Sequence, residues 1–339
     1  MRKIRVLVVD DSVVIRRMVS DILSSDPAIE VVGTAANGRI ALQKIEQLNP
    51  DIVTLDVEMP VMDGLATIPE IRKSWPTLPI VMLSTLTEVG ASTTLEALTL
   101  GATDYVAKPS NAGSMEVAQQ IVRAELLPKV KNLCARAVGT ASTDGAVVRE
   151  KPTSPIVRAT SSSRIELVAI GVSTGGPNAL GTLMPEFPAE FSVPIVITQH
   201  MPPLFTKLLA QRLRNTTKLD VVEAGDGGVL KAGSGWVAPG DNHLVLERRA
   251  SGVFTKLDHG PAENSCRPAV DVMFRSAVAT YGAGVLAVIL TGMGQDGLRG
   301  AELVKEAGGT VIVQDEATSV VWGMPGHVAN AGLADAVLP

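Results

Sequence analysis

Aromatic residues are scarce in this chain: Phe, Trp and Tyr make up 3% of its 339 residues. A core without large rings must be filled by aliphatic side chains, and with 46% of the chain apolar the expected filling is Val, Leu, Ile and Ala. Cysteine is nearly absent. Cys134 and Cys266 form no metal-ligand spacing, and no disulfide is expected where no secretory signal is read. Positive charge is not in excess: 30 Lys+Arg stand against 35 Asp+Glu, which argues against a nucleic-acid partner. No apolar run is long enough to span a membrane. The opening "MRKIRVLVVDDS" has a charged start, but its apolar run is short and ends on two aspartates, unlike a signal peptide. A cytoplasmic protein without membrane insertion is therefore expected. With four histidines in all, few groups are available as a neutral-pH base.

What is present is α/β patterning, in a chain long enough for two domains. The first part alternates strand and helix five times. Strands are expected at Ile4–Val9, Glu30–Ala35, Ile52–Leu55, Ile80–Ser84 and Tyr105–Ala107, with helices near 13–24, 37–48, 63–74, 90–100 and 113–126. That alternation predicts a five-stranded parallel sheet covered on both faces. Composition then turns to Ser, Thr, Pro and Gly in "GTASTDG", "KPTSP" and "TSSSR", the mark of a linker. Residues 126–163 hold six basic and two acidic residues, read as a solvated tether in preference to an acidic-partner site. The pattern resumes with strands at Leu167–Val172, Ile195–Thr198, Trp236–Ala238, His243–Glu247, Val253–Leu257, Val285–Leu290 and Thr310–Gln314. The expected divisions are 1–126, a linker at 127–163, and a second, doubly wound and mainly parallel domain at 164–339.

Polar residues gather where strands end. Asp10 and Asp11 follow the first strand and Asp56 the third. Both places lie on the carboxyl edge of a parallel sheet, where ligands bind. Any one Asp there is commonly a helix N-cap. Three mutually repelling carboxylates, however, suit a hard divalent cation, and Mg²⁺ fits an all-oxygen set. Ser84 ends the fourth strand and Lys108 the fifth. A hydroxyl and an ammonium facing that centre suit a phosphoryl group.

In the second domain the apolar run Leu167–Val172 stops at Ser173, within "IGVSTGGPNAL". G-x-S-x-G puts a serine on a sharp strand-to-helix turn, Pro177 suits a first helical turn, and the helix N-terminus favours negative charge. A serine nucleophile needs a base. His200, directly after "PIVITQ", is best placed; His243 reads as a turn residue, His259 as a loop residue and His327 as a helix residue, each structural. Asp296, in the Gly-rich "LTGMGQDGLRG" past the most apolar strand, completes a Ser–His–Asp set. Its chain order differs from that of the α/β-hydrolases.

Residues 3–126 resemble a two-component response-regulator receiver, through "VLVVDDS", "DIVTLDVEMPVMDG", "IVMLST" and "DYVAKP". The resemblance implies phosphorylation of Asp56 by a histidine kinase and a Mg²⁺ held by Asp10, Asp11, Asp56 and the carbonyl of Glu58. It also implies phosphate sensing by Ser84 and Lys108, and an aromatic switch at Tyr105. Residues 164–339 resemble the catalytic domain of the CheB family of protein-glutamate methylesterases, through "IGVSTGGP", "ITQHMP", "VAPGDNHL", "RPAVDVMF", "LTGMGQDG" and "QDEATSVVWGMP". This implies a serine esterase acting on chemoreceptor glutamate methyl esters, with glutamine deamidation. Ser173 would be the nucleophile, His200 the base, Asp296 its orienter and the Met293 N–H the oxyanion donor. No cofactor is expected for the esterase chemistry. The family also implies that the unphosphorylated receiver restrains the esterase. Gln295 departs from the Asn frequent in the family and leaves the triad untouched. Two other readings compete with this one: a phosphorylation-controlled adaptor with an inactive hydrolase-like domain, and a nucleotide-binding module. The latter lacks G-x-G-x-x-G and a Walker lysine.

Overall fold

In the computed structural model, which describes residues 2–85, 87–108, 115–135 and 164–339, every strand of the first unit except the second ends at or just before a polar residue. The chain forms two units, Met1–Asp144 and Gly145–Pro339. The first contains β1 (Ile4–Val9), α1 (Val13–Ser24), β2 (Ile29–Ala35), α2 (Gly38–Leu48), β3 (Ile52–Asp56), α3 (Gly64–Ser74), β4 (Ile80–Thr85), α4 (Glu88–Thr99), β5 (Asp104–Lys108) and α5 (Met115–Cys134). The strands pair in parallel in the order β2-β1-β3-β4-β5. The chain leaves β1 to one side for β2 and to the other for β3, so the switch point lies between the ends of β1 and β3. β3 is buried throughout, as a strand covered on both faces must be. The helices have dedicated caps: Ser12, Asn37, Asp63 and Thr87 each accept a hydrogen bond from a first-turn N–H. Asp10, Asp11 and Asp56 are thus released from capping. α5 runs on through Cys134, where a linker was expected from 127. Its buried stripe of Leu126, Val130 and Cys134 repeats every four residues and outweighs Pro128 inside the helix.

The second unit contains β6 (Leu167–Val172), α6 (Gly176–Leu183), β7 (Ile195–Gln199), α7 (Phe205–Thr216), β8 (Asp220–Glu223), β9 (Ser234–Val237), β10 (His243–Arg249), β11 (Gly252–Asp258), α8 (Val270–Tyr281), β12 (Val285–Ile289), α9 (Leu298–Glu306), β13 (Thr310–Gln314), α10 (Met324–Asn330) and β14 (Ala336–Leu338). Seven strands form one sheet in the order β14-β13-β12-β6-β7-β9-β8. Every pairing in it is parallel. β10 and β11 form a separate antiparallel hairpin. β6 is central and wholly buried, each large side chain contributing roughly 1.5–3 kcal/mol. The chain moves from β6 to β7 on one side and later to β12 on the other, so Ser173 stands beside the switch point. Gly171 lets α8 approach, since a Cβ there would lie 2.4 Å from Val270. β8 and β14 were not expected from sequence; both are short edge strands with mixed burial. His243 opens β10, where the strand was expected to begin, directly after the turn that precedes it.

Candidate active site and phosphoacceptor site

At the β1/β3 switch point of the first unit, carboxylate oxygens of Asp10, Asp11 and Asp56 lie within 4.8 Å of one another. Asp10 is fully buried and Asp56 nearly so. Lys108 Nζ reaches Asp10 Oδ2 at 2.8 Å and Asp56 Oδ1 at 2.7 Å. Burial pushes the Asp56 carboxyl up to about 6 against the pull of Lys108, with the Asp10 charge adding to the rise. Burial works against the Lys108 charge, but the two carboxylates outweigh it and hold that ammonium above its ordinary value. Three hard oxygen donors with one lysine between them fit a divalent cation. Asp10, Asp11 and Asp56 would hold it. Glu58, whose carbonyl the receiver resemblance adds, is exposed two residues beyond Asp56.

Ser84 and Tyr105 are placed differently from Lys108. The buried Ser84 hydroxyl donates to Gly90 O at 3.2 Å and is hydrogen-bonded to Thr94 Oγ1, so it faces α4. Tyr105 is buried and packs beneath Lys129, whose Nζ lies 5.1 Å from the ring centre. Burial, with Asp104 and Glu125 nearby, holds its hydroxyl well above the usual tyrosine range.

In the second unit, β6 and β7 pair through Val172 and Gln199, so the next residues, Ser173 and His200, leave adjacent strands at the same edge. The His200 N–H donates to Val172 O at 3.2 Å, and the Gln199 Nε2 donates to Ser173 O at 3.0 Å and to His200 O at 3.2 Å. The turn after Ser173 needs Gly175, at φ +78°, and Gly176, where a Cβ would lie 1.9 Å from Gln199 Oε1. The segment after β12 lies against the serine: Ser173 N–H donates to Thr291 O at 3.0 Å, and a Cβ on Gly292 would approach Ser173 Cβ to 2.9 Å. Met293 follows directly.

His200 and Asp296 meet, with Nε2 2.8 Å from Asp296 Oδ2. Asp296 is buried and heavily hydrogen-bonded. Its Oδ1 accepts from Asn264 Nδ2, Asp271 N and Gly297 N, and its Oδ2 accepts also from Val270 N. Burial alone would raise this carboxyl, but the His200 hydrogen bond and charge and these N–H donors hold it below the ordinary range. Neighbouring Asp271 is pushed up by burial against its own hydrogen bonds. A carboxylate accepts only, so Nε2 carries the proton and Nδ1 is the basic nitrogen. That nitrogen faces Cys266 Sγ at 3.5 Å. Among the hydrogen bonds of the described residues, none joins Ser173 Oγ to the ring. Burial works against the charged imidazole, but the Asp296 hydrogen bond and the Cys266 thiol outweigh it and push His200 up to about 10.

The remaining histidines bond other partners or face solvent. His243 accepts from Ala269 N and bonds Pro261 O, a structural role; His259 is exposed, and His327 sits in α10. Asn264, Cys266 and Asp271 were not singled out from sequence. They come from the 259–269 loop and the start of α8, where no strand tip flags them. Asn264 and Ser265, at φ +52° and +62°, show how sharply that loop turns.

Two parallel sheets, one with a buried acidic switch point and a lysine across it, the other with a serine and a His–Asp pair at its edge, define a receiver-type unit followed by an α/β unit of serine-hydrolase type. Residues 168–339 match the CheB methylesterase family and residues 6–120 the response regulator receiver domain. The chain belongs to the CheB methylesterase family. It is 53% identical over 343 residues to a protein-glutamate methylesterase/protein-glutamine glutaminase of Trichodesmium erythraeum, covering 100% of this chain and 96% of that one. It is 54% identical to one of Nocardioides sp., covering 99% and 92%. The crystal structure of the Thermotoga maritima CheB methylesterase catalytic domain shares 50% identity at a TM-score of 0.51, covering 52% of this chain and 94% of that one. Among the described residues no helix is long and apolar enough to cross a membrane.

Proposed function

We propose that this chain is a phosphorylation-regulated methylesterase that hydrolyses glutamate methyl esters on methyl-accepting chemoreceptors in the cytoplasm, releasing methanol, and deamidates receptor glutamines. The observation that carries it is the His200–Asp296 pair at 2.8 Å, on the same sheet edge as Ser173, in a chain matched along its whole length by relatives of that name.

Ser173 Oγ attacks the ester carbonyl while His200 Nδ1 takes its proton. Asp296 fixes the ring by accepting from Nε2 and stabilises the imidazolium. The tetrahedral oxyanion is held by the Met293 N–H with help from the α6 N-terminus; one such donor contributes about 3–4 kcal/mol. The imidazolium returns its proton to the departing methoxide, and methanol leaves. Water, deprotonated by the same nitrogen, then cleaves the acyl-enzyme to a free glutamate and Ser173. An amide passes through the same kind of intermediate and releases ammonia.

Asp56 is the phosphoacceptor for the histidine kinase of the same signalling system. Mg²⁺, when bound, offsets the charge of the carboxylates and of the incoming phosphoryl group. Lys108 contributes a second positive charge, while Ser84 must turn from Gly90 and Thr94 to sense phosphate, and Tyr105 is the buried aromatic whose setting responds. A phosphoryl group brings about −1.5 to −2 charges to this buried pocket, and that change regulates the esterase. We take residues 1–126 as the receiver, 127–163 as the tether and 164–339 as the catalytic unit, with α5 carrying its helix into the tether as far as Cys134.

The test is methanol release from methylated receptors, with and without acetyl phosphate and Mg²⁺. Release that rises with phosphodonor and vanishes in Ser173→Ala supports the reading. Unchanged release in Ser173→Ala refutes the nucleophile. Absence of release from the wild type, phosphorylated or not, would favour the adaptor reading.

A further inference from the structure

The basic nitrogen of His200 is not waiting on the serine; it faces a thiol. Nδ1 is 3.5 Å from Cys266 Sγ, while Nε2 is spent on Asp296. The thiol is held there by a tight turn. Glu263 and Cys266 exchange both backbone hydrogen bonds, N–H to O at 3.1 and 2.8 Å. The two residues between them, Asn264 and Ser265, take left-handed φ values that cost non-glycine residues strain. Arg275 pairs with Glu263 from α8. The same turn delivers Asn264 Nδ2 to Asp296 Oδ1 and Asp271 Oδ2, each at 2.9 Å. One short segment therefore touches both members of the His–Asp pair: an amide on the carboxylate, a thiol on the ring.

We propose that Cys266 is a positioning residue of the hydrolase site, which occupies the His200 Nδ1 lone pair between turnovers and competes with Ser173 for it. The inference rests on the esterase reading given above. Its physical content is a proton count. A neutral imidazole bonded to Asp296 through Nε2–H has one lone pair, on Nδ1. A thiol S–H donates to it; a serine O–H must do the same to be activated. Both cannot do so at once, so the ring leaves Cys266 when Ser173 attacks. Proton transfer from the thiol to the ring would leave an imidazolium between Asp296 and a thiolate, a base already filled. The raised ionisation of His200, to which Cys266 contributes by hydrogen bond and by charge, agrees with the imidazolium–thiolate form, because a neutral S–H donor alone would favour the uncharged ring. The other charged groups on the elements packed here are internally paired or bonded: Glu263 with Arg275, Arg267 with Asp241, and Asp271 with Asn264 and the Gly297 and Gly300 N–H groups. That leaves Asp296 and Cys266 as the groups that set the ring's charge.

The experiment uses the full chain as wild type, Cys266→Ala and Cys266→Ser, with two readouts. The first is the pH dependence of kcat/KM for methanol release. In Cys266→Ala the acid limb moves to lower pH, so the rate relative to its plateau rises several-fold below the wild-type midpoint; one pH unit of displacement corresponds to about tenfold. Cys266→Ser, whose hydroxyl stays neutral and cannot pair with an imidazolium as an anion, moves with Cys266→Ala. The second readout is the titration of the His200 ring by NMR, each variant in a Ser173→Ala background, which needs no turnover. It moves in the same direction. A ring titration and an acid limb that both stay at the wild-type position in Cys266→Ala overturn the proposal. So does loss of methanol release in Cys266→Ala with retention in Ser173→Ala, which would make Cys266 the nucleophile. Absence of methanol release from the wild type, with the ring titration still shifted, removes the esterase reading and leaves the thiol–imidazole pairing standing.

Discussion

Asp296→Asn is the most informative single change, because nearly every donor around that carboxylate can be named. Oδ1 accepts from Asn264 Nδ2, Asp271 N and Gly297 N, and Oδ2 from His200 Nε2 and Val270 N. An asparagine has one acceptor oxygen and one NH₂. If the oxygen keeps the Oδ1 side, the NH₂ meets the Val270 N–H and the His200 Nε2–H. The histidine can relieve its half of that clash by changing tautomer, accepting at Nε2 and carrying its proton on Nδ1. The buried Val270 N–H stays unpaired. An unmet buried donor costs about 1–3 kcal/mol, and the remaining bonds lose their charge assistance, so a total loss of roughly 2–4 kcal/mol is expected. In a unit of this size that is roughly a 5–15 °C fall in Tm. The catalytic cost is separate and larger. With the proton on Nδ1 the ring has no lone pair for Ser173, the wrong-tautomer defect that lowers kcat by about 10⁴-fold in serine hydrolases. Calorimetry follows the Tm of the second unit's transition, and methanol release follows kcat. The opposite orientation of the asparagine is worse for folding, since it faces NH₂ with three donors. A variant with wild-type Tm and wild-type kcat would refute the assignment of Asp296 as the buried, tautomer-fixing anion.

Other changes test neighbouring parts of the argument. Gly176→Ala puts a methyl group 1.9 Å from Gln199 Oε1, displacing the side chain that ties Ser173 O to His200 O; a loss of about 1–3 kcal/mol with reduced kcat is expected, and a silent variant would show that Gln199 does not hold the nucleophile. Lys108→Met strips the cation from buried Asp10 and Asp56. Breaking a fully buried pair costs about 3–5 kcal/mol, and with Lys108 still 18% exposed roughly 2–3 is expected, partly restored by Mg²⁺ in a thermal melt; a metal-independent Tm equal to wild type would count against the shared charge. For pH, His200 is raised from 6.5 to about 10 in the folded chain. Its stabilising contribution is therefore fully present below pH 6.5 and is lost as pH rises through 10. The second unit's Tm should fall across that window, and fall less in Cys266→Ala; a flat profile would contradict the raised ring.

The parts of this protein legible in sequence are those that a parallel sheet makes periodic. β6 is a continuous apolar run and β1 one interrupted only by Arg5, each stopped by a polar residue, as a strand covered on both faces is typically written. Asp10, Asp56, Ser173 and His200 were visible because each stands at such a stop, and Asp296 because its Gly-rich turn follows β12. Edge strands β8 and β14 lack that signature, having one neighbour each and partly solvated faces. α5 passes Pro128 because tertiary burial of Val130 and Cys134 outweighs a local breaker. Side-chain direction was beyond the sequence as well: Ser84 is at its expected strand end, yet its hydroxyl is taken by Gly90 and Thr94 of α4. The supports of the hydrolase site were the least legible. Asn264, Cys266 and Asp271 reach His200 and Asp296 only because a strained loop folds over the sheet edge, and no periodicity encodes that. A strand tip can bring an imidazole to the rim, but what sits on each ring nitrogen depends on the loop above it. Whether His200 is free to take a proton therefore depends on the residues 263–271 that face it as well as on Asp296.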